Sequence, residues 1–474
     1  MKKFFSAVAS VLICALLILV VAFALYQGGY LDKFLSNIPF VNSDNMASAL
    51  LATHTSSEKQ PIKNDALTAK KIEIDSKATN DSYVAVTQKT AVAGSYGYLS
   101  QQSGLSNMKT VQMQKLYHVL VQNSYSVTQK KNDKGYYNIA QATIKNVNLD
   151  DSDIRVAITA FKNDNPHIFW IANVYSYTYQ GKDTIVQLYS CVSADECNRM
   201  IAQLNAKVSK MVANLPTKLS EFDRELTLYD TLAKNCSYDD AAAENSELWK
   251  SYTAYGALID GKAVCEGYSR AMQLLLSYAN MQCRLVSGEG QNTLHMWNLV
   301  RLGNAWYHLD ATWNDDDEII SHDYFNLSDS AILADHTISP QISTLTKDQI
   351  NGKNGSQRVA YNLALPACKS NEQNYFRVKG IAIPAFTASA DKSVISALTA
   401  AAQRHDQYVS FYIGDQLNYE DTVDKLFHNT PYKYLYYVKE ANKAAADKNH
   451  IQYSQTVFFQ AKASRGVTLK LSYE

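Results

Sequence analysis

Asp260-Gly261-Lys262-Ala263-Val264-Cys265-Glu266-Gly267-Tyr268-Ser269-Arg270, followed by Ala271-Met272-Gln273-Leu274-Leu275-Leu276, is the stretch whose reading decides the fold. The Gly261 turn runs into a helix whose apolar residues Met272, Leu275, Leu276 and Ala279 recur at helical spacing. Cys265 falls in the first turn. There, unpaired backbone N–H groups and the positive end of the helix dipole favour a thiolate. The same N–H groups suit an oxyanion on an attacked carbonyl. Without a base, a cysteine in this position is no more than a structural thiol.

The base candidate is His295. After the helix, Gln282–Val286, His295–Val300 and Ala305–Asp310 read as strands, and Leu302-Gly303-Asn304 reads as a tight hairpin turn. A loop centred on Leu302 and Gly303 sets His295 directly opposite Asp310, with Cβ atoms about 4.5–5.5 Å apart. A loop centred on Gly303 and Asn304 makes them diagonal neighbours on one face. A bulge-free three-residue loop would send them to opposite faces. In either of the first two registers a carboxylate orients an imidazole that serves a helix-start thiol, which is the logic of nucleophile, general base and orienting acid. His308 competes for the role of base. It shares the predicted face, but in the preferred register its partner is the Trp297 indole, whereas His295 faces a carboxylate.

Cys265, His295 and Asp310 thus come in this order within Gly261-Lys262-Ala263-Val264-Cys265-Glu266-Gly267-Tyr268, His295-Met296-Trp297-Asn298 and Trp306-Tyr307-His308-Leu309-Asp310-Ala311-Thr312-Trp313. Ala254-Tyr255-Gly256-Ala257-Leu258 precedes them and Tyr324-Phe325-Asn326-Leu327-Ser328 follows; Tyr229 to Asp239 adds an opening helix and turn. The set, over about 217–340, resembles the transglutaminase-like superfamily in its bacterial exported form. The resemblance implies Cys265 as nucleophile, His295 as base and Asp310 as orienting carboxylate. It also implies a papain-like α+β core, a thiol-bearing helix packed on an antiparallel sheet. Such enzymes attack a carboxamide or peptide carbonyl, form a thioester, and pass the acyl group to an amine or to water. Tyr255 is a candidate second oxyanion donor, and Trp297, Trp306 and Trp313 are candidates to line a substrate groove.

The rest of the chain bounds this reading. Its 474 residues allow two or three domains. Lysine plus arginine equals aspartate plus glutamate at 45 each, so no net field favours nucleic acid. Lys2 and Lys3 precede an uncharged run from Phe4 to Leu25, and its 22 residues span about 33 Å as a helix. That length suits a retained membrane anchor better than a cleaved signal peptide, and the lysines predict an exported body. Residues 1–30 therefore read as the anchor and residues 31–82, rich in Ser, Thr, Asn, Lys and Ala, as a flexible tether. Residues 83–215 read as an α+β domain, 216–340 as the catalytic domain and 341–474 as a C-terminal α+β domain. Helices are expected at Met113–Asn123, Ala194–Asn214, Ser220–Cys236, Val394–Gln403 and Tyr419–Phe427. Strands are expected at Tyr137–Ala140, Ile168–Ile171, Tyr175–Tyr179, Thr184–Tyr189, Tyr375–Val378, Tyr408–Tyr412 and Tyr434–Val438.

Six cysteines lie beyond the apolar run, and with Cys265 as nucleophile the other five cannot all pair. Cys191 and Cys197 are close enough for one bridge, and equally suited to being buried thiols. Asp315-Asp316-Asp317-Glu318 lacks the alternating spacing of a calcium loop and reads as a solvated acidic turn. His322 and His336 show no zinc-like spacing. No metal or cofactor is expected. The expected partners are protein or peptide substrates at the cell envelope, and the membrane through the N-terminal helix. The expectation is an extracytoplasmic thiol acyl-transfer enzyme. The rival is a cell-surface binding or scaffold protein whose transglutaminase-like module has little activity.

Overall fold

The computed structural model describes residues 53–54, 69–72, 82–86, 103–314, 319–352, 359–445 and 449–473. The expected anchor, most of the tether and the acidic turn at 315–318 lie outside the described residues. Among those that are described, no helix is long and apolar enough to cross a membrane. The chain divides into two compact units, one of Thr55–Ala382 with Ala461–Gly466, the other of Ile383–Gln460 and Val467–Glu474 with the segment up to His54.

In chain order the strands are β1 (Thr53–His54), β2 (Lys70–Lys71), β3 (Tyr83–Ala85), β4 (Ser126–Lys131), β5 (Tyr137–Ile139), β6 (Ala142–Ile144), β7 (Ile171–Gln180) and β8 (Asp183–Ser190). The helices interleaved with them are α1 (Val111–Asn123) and α2 (Asp151–Asp164), with α3 (Ala194–Ala213) and α4 (Glu221–Asn235) following. Strands β2 to β8 form a seven-stranded sheet. The helix starts follow local chemistry: the side chains of Thr110, Asp150, Ser193 and Ser220 each accept a first-turn backbone N–H. One hydrophobic core joins α1, α2 and α3 to α4 and to the thiol-bearing helix. Ile168, Phe169 and Trp170, expected in a strand, form the buried turn that precedes β7. Cys191 and Cys197 are free thiols.

The functional half of this unit continues with β9 (Ser237–Tyr238) and β10 (Lys262–Ala263), then α5 (Cys265–Tyr278), β11 (Cys283–Gly290), β12 (Thr293–Leu302), β13 (Ala305–Leu309), β14 (Phe325–Leu327) and β15 (His336–Ile338). The last five strands form an antiparallel sheet in the order β14-β13-β12-β11-β15. All of α5 is buried. The helix packs this closely because Gly267 has no side chain; a Cβ there would lie 2.3 Å from the Ser251 carbonyl oxygen. This is the expected α+β arrangement, a cysteine-bearing helix against an antiparallel sheet.

Two expected strands are helices. Tyr375–Lys379 forms α6 because the Asn374 side chain accepts the Phe376 and Arg377 N–H groups and starts a helical turn. Lys433–Ala444 forms α9, and its buried residues Tyr434, Tyr437, Val438 and Ala441 mark a helical stripe. The β-propensity of tyrosine and valine misleads there, and tertiary burial overrides it. In the second unit α7 (Ala388–Arg404) and α8 (Tyr419–Val423) accompany α9. Its sheet runs β1-β18-β19-β17-β16, with β16 (Ile381–Ile383), β17 (Tyr408–Ile413), β18 (Val457–Ala461) and β19 (Gly466–Lys470).

Candidate active site

Cys265 is the first residue of α5. The preceding Val264 is extended and has no capping side chain, so the first-turn N–H groups are not taken up by the cap residue. Two side chains dock the helix start onto β12. The Ser269 hydroxyl lies 2.8 Å from both the Cys265 and Met296 carbonyl oxygens, and Asn298 Nδ2 donates to the Ser269 carbonyl at 3.0 Å. Met296 and Cys265 share one small buried cluster. The backbone N–H groups of Met296 and Glu266 face the Cys265 sulfur. The thiol therefore rests one residue from His295 along β12.

Strands β12 and β13 pair Asn298 with Leu309 and Leu302 with Ala305, so Gly303 and Asn304 form the loop. Gly303 has φ +56°, the left-handed backbone that a two-residue hairpin asks of its first loop position. The preferred register, with His295 directly opposite Asp310, is thereby corrected to the diagonal one. The pair still meets: His295 Nε2 and Asp310 Oδ2 are 2.7 Å apart and both side chains are buried. A bulge at His308/Leu309 bends the end of β13 and helps aim Asp310. Its Oδ1 accepts the Thr312 N–H at 2.8 Å, and its backbone carbonyl accepts the Tyr229 hydroxyl at 3.0 Å.

Burial pushes the Asp310 carboxyl up, but His295 and His336 more than offset this and hold it well below the usual carboxylate range. An ionised Asp310 accepts from Nε2–H, which leaves the proton-free nitrogen of a neutral His295 at Nδ1. Burial pushes the Cys265 thiol up, against the lowering expected from the helix dipole, and the charges of Glu266 and Asp310 add to that rise. The Met296 and Glu266 N–H groups oppose it. Among the described residues no hydrogen bond joins Cys265 to His295. Such contacts are often long in a resting site and tighten with substrate.

The other candidates lie elsewhere. The Tyr255 hydroxyl donates to Gln203 at 2.7 Å and its ring stacks on Phe169, so its polar end is engaged by α3. Trp297 is fully buried and donates from Nε1 to His308 Nδ1 at 2.9 Å. It backs the His295 ring and lines no open groove. His308 is no base: with Nδ1 accepting from Trp297, its proton sits on Nε2 and goes to Asp329 at 2.9 Å. Among the described residues two groups, His295-Asp310-His336 and His308-Asp329-Cys368, have the spacing of metal ligands. In the second, His308 offers no lone pair; in the first, the His295–Asp310 hydrogen bond occupies the would-be ligand atoms.

Sequence reasoning missed Ser269, Asn298 and above all His336. The last is carried by β15 and lies against the triad because β15 pairs with β11 across Gly288 and Gly290. Two alternate glycines in a strand, Gly288-Glu289-Gly290, were the one available signal that something approaches that face.

Residues 206–311 match the family model of the transglutaminase-like superfamily. No curated protein matches the chain. Among solved structures, similarity is found to a TGase at 14% identity, covering 36% of this chain and 50% of that one, with a TM-score of 0.22. A candidate cysteine protease from Cytophaga hutchinsonii is also 14% identical, covering 27% of this chain and 52% of that one, with a TM-score of 0.20. The chain thus spans about half the length of these two solved structures. Residues 206–311, which include Cys265, His295 and Asp310, are thus similar to the transglutaminase-like superfamily.

Proposed function

We propose that this protein is an extracytoplasmic cysteine acyl-transfer enzyme acting on peptide or protein amides, with residues 216–340 as its catalytic segment. Cys265 is the nucleophile, His295 the general base and Asp310 the orienting carboxylate. The observation that carries the proposal is the buried 2.7 Å His295–Asp310 contact one residue from the Met296 N–H that faces the Cys265 sulfur. The export assignment rests on the two lysines and the apolar run that open the sequence.

A thiol raised by burial is neutral at rest, so the proton leaves during attack. His295 Nδ1 takes the Sγ proton as sulfur bonds to the carbonyl carbon, and N–H groups of the first turn of α5 receive the oxyanion. Collapse breaks the C–N bond, and the imidazolium returns its proton to the departing amine. Water or a second amine, deprotonated by the same nitrogen, then attacks the thioester and frees Cys265. Asp310 stays ionised and fixes the ring. Hydrolysis and cross-linking differ only in the acceptor that reaches the thioester.

The rival reading is a surface binding module with a silent triad. It is favoured by the full burial of Cys265 and the missing Cys265–His295 hydrogen bond. One experiment separates the two. Full-length protein, Cys265→Ala and His295→Ala are treated with p-nitrophenyl acetate, and the acetylated site is found by mass spectrometry. Acetylation at Cys265 that disappears in the Cys265→Ala protein and falls at least about 100-fold in the His295→Ala protein supports the enzyme. Acetylation no faster at Cys265 than at buried Cys283 gives the rival first place.

A further inference from the structure

Asp310 is served by two imidazoles. The second, His336, starts β15, two strands away from β12, and reaches Asp310 across β11 because Gly290 is bare; a Cβ there would come within 3.3 Å of His336 Nε2. The ring packs against Trp313 at 4.4 Å between centroids, Trp297 at 5.0 Å and His295 at 5.5 Å. Nδ1 donates to Asp335 Oδ1 at 2.6 Å, and the Tyr324 hydroxyl donates to the other Asp335 oxygen at 2.5 Å. Nε2 is buried without a hydrogen bond, and Asp310 Oδ2 lies 3.8 Å from it. This is the same oxygen that receives His295 Nε2–H.

Resting on the Cys265–His295–Asp310 reading, we propose that His336 is a positioning residue of the triad: an imidazolium, held by Asp335, that charge-balances Asp310 at the same oxygen His295 contacts. A buried carboxylate facing a single imidazole draws a proton onto that imidazole, because the ion pair is strongly favoured away from water. A base held as imidazolium cannot accept the thiol proton. A second cation on the carboxylate relieves that demand. Asp310 stays ionised while His295 stays free to cycle between neutral and charged forms. Burial lowers the proton affinity of His336, but Asp310 and Asp335 outweigh it and raise it above the ordinary histidine value.

The charged groups that act on His336 agree in sign: Asp335 adjoins it and Asp310 follows β13. The Tyr324 hydroxyl beside it is held neutral, burial pushing it far up, and burial raises Asp323 to about 6. His308 on β13 opposes this charge, and burial lowers its own proton affinity. Aromatic rings cover the remaining faces of the cluster and exclude water, which keeps these charges unscreened.

The test compares His336→Gln and Asp335→Asn with the parent in two measurements. The first is the pH profile of Cys265 acetylation by p-nitrophenyl acetate. His336→Gln is expected to move the acid limb up by about one pH unit and to lower the rate at pH 6.5 by about tenfold, with near-parent rates on the alkaline plateau. Asp335→Asn, at a partly exposed carboxylate, should give a smaller shift of the same sign. A purely structural role would lower the whole profile without moving its limb; that result, or a profile superimposable on the parent, overturns the proposal.

The second measurement is imidazole NMR of the parent, His336→Gln and Asp310→Asn, which needs no turnover. His336 should stay protonated above the ordinary histidine range in the parent and lose that in Asp310→Asn. His295 should hold its proton to higher pH in His336→Gln. If the parent is not acetylated at Cys265, the triad reading fails, and the NMR titrations still decide whether His336 balances Asp310.

Discussion

Replacing Asp310 by Asn tests the triad with little change of shape. The Thr312 N–H already donates to Oδ1, so the amide oxygen keeps that place and the NH2 group takes the place of Oδ2. Two donors would then face each other across the present 2.7 Å contact with His295 Nε2. The imidazole must move its proton to Nδ1, which removes the lone pair that serves Cys265. Losing a charge-assisted hydrogen bond costs about 1.5–3 kcal/mol, and enforcing the productive tautomer against a donor costs a similar amount. Together these give about 3–6 kcal/mol, or about 10²- to 10⁴-fold in rate. The assay is the initial rate of Cys265 acetylation by p-nitrophenyl acetate at pH 7.5, with a thermal melt to show that the variant is folded. A folded Asp310→Asn protein that acetylates within threefold of the parent would refute the assignment of Asp310 as orienting group.

Two further outcomes concern stability. Burial raises Glu225 from 4.5 to about 8, with only the Asn326 amide opposing it by hydrogen bond. Its contribution is therefore full below the unfolded value and lost as pH climbs toward 8, a total of roughly 5 kcal/mol. Urea titrations of the parent should show stability falling between pH 5 and 9, and Glu225→Gln should remove most of that slope; parallel curves would contradict the assignment. Gly290→Ala should destabilise by about 1–3 kcal/mol, because the new methyl would lie 2.7 Å from Trp313. An unchanged urea midpoint would show that the Trp313 and His336 packing over β11 is looser than described.

How much of the site was legible varies residue by residue. Cys265, His295 and Asp310 sit on a turn-helix boundary and on two strands joined by a two-residue loop, so local chemistry and pairing geometry placed them. The exact register did not follow, because Leu302-Gly303-Asn304 admits more than one turn centre; the positive φ of Gly303 goes with the diagonal pairing. The strands expected at Tyr375 and Tyr434 failed because residues of high β-propensity were read without the burial that makes them helical. His336 was passed over because it was weighed only as a metal ligand, whose spacing it lacks, and because the β11–β15 pairing that brings it to the site is long-range.

By itself the sequence determined the identities and order of the reactive groups and the glycine turn that starts α5. It also set the amphipathic faces of the long helices, since all of these depend on bonds within a few residues. Only the tertiary structure decided the neutral resting state of Cys265, the diagonal meeting of His295 with Asp310, the engagement of Tyr255 by Gln203, and the approach of His336. Those depend on burial, on a bulge at the end of β13 and on pairing between β11 and β15. Desolvation and long-range strand pairing are properties of the packed chain, and no local pattern encodes them.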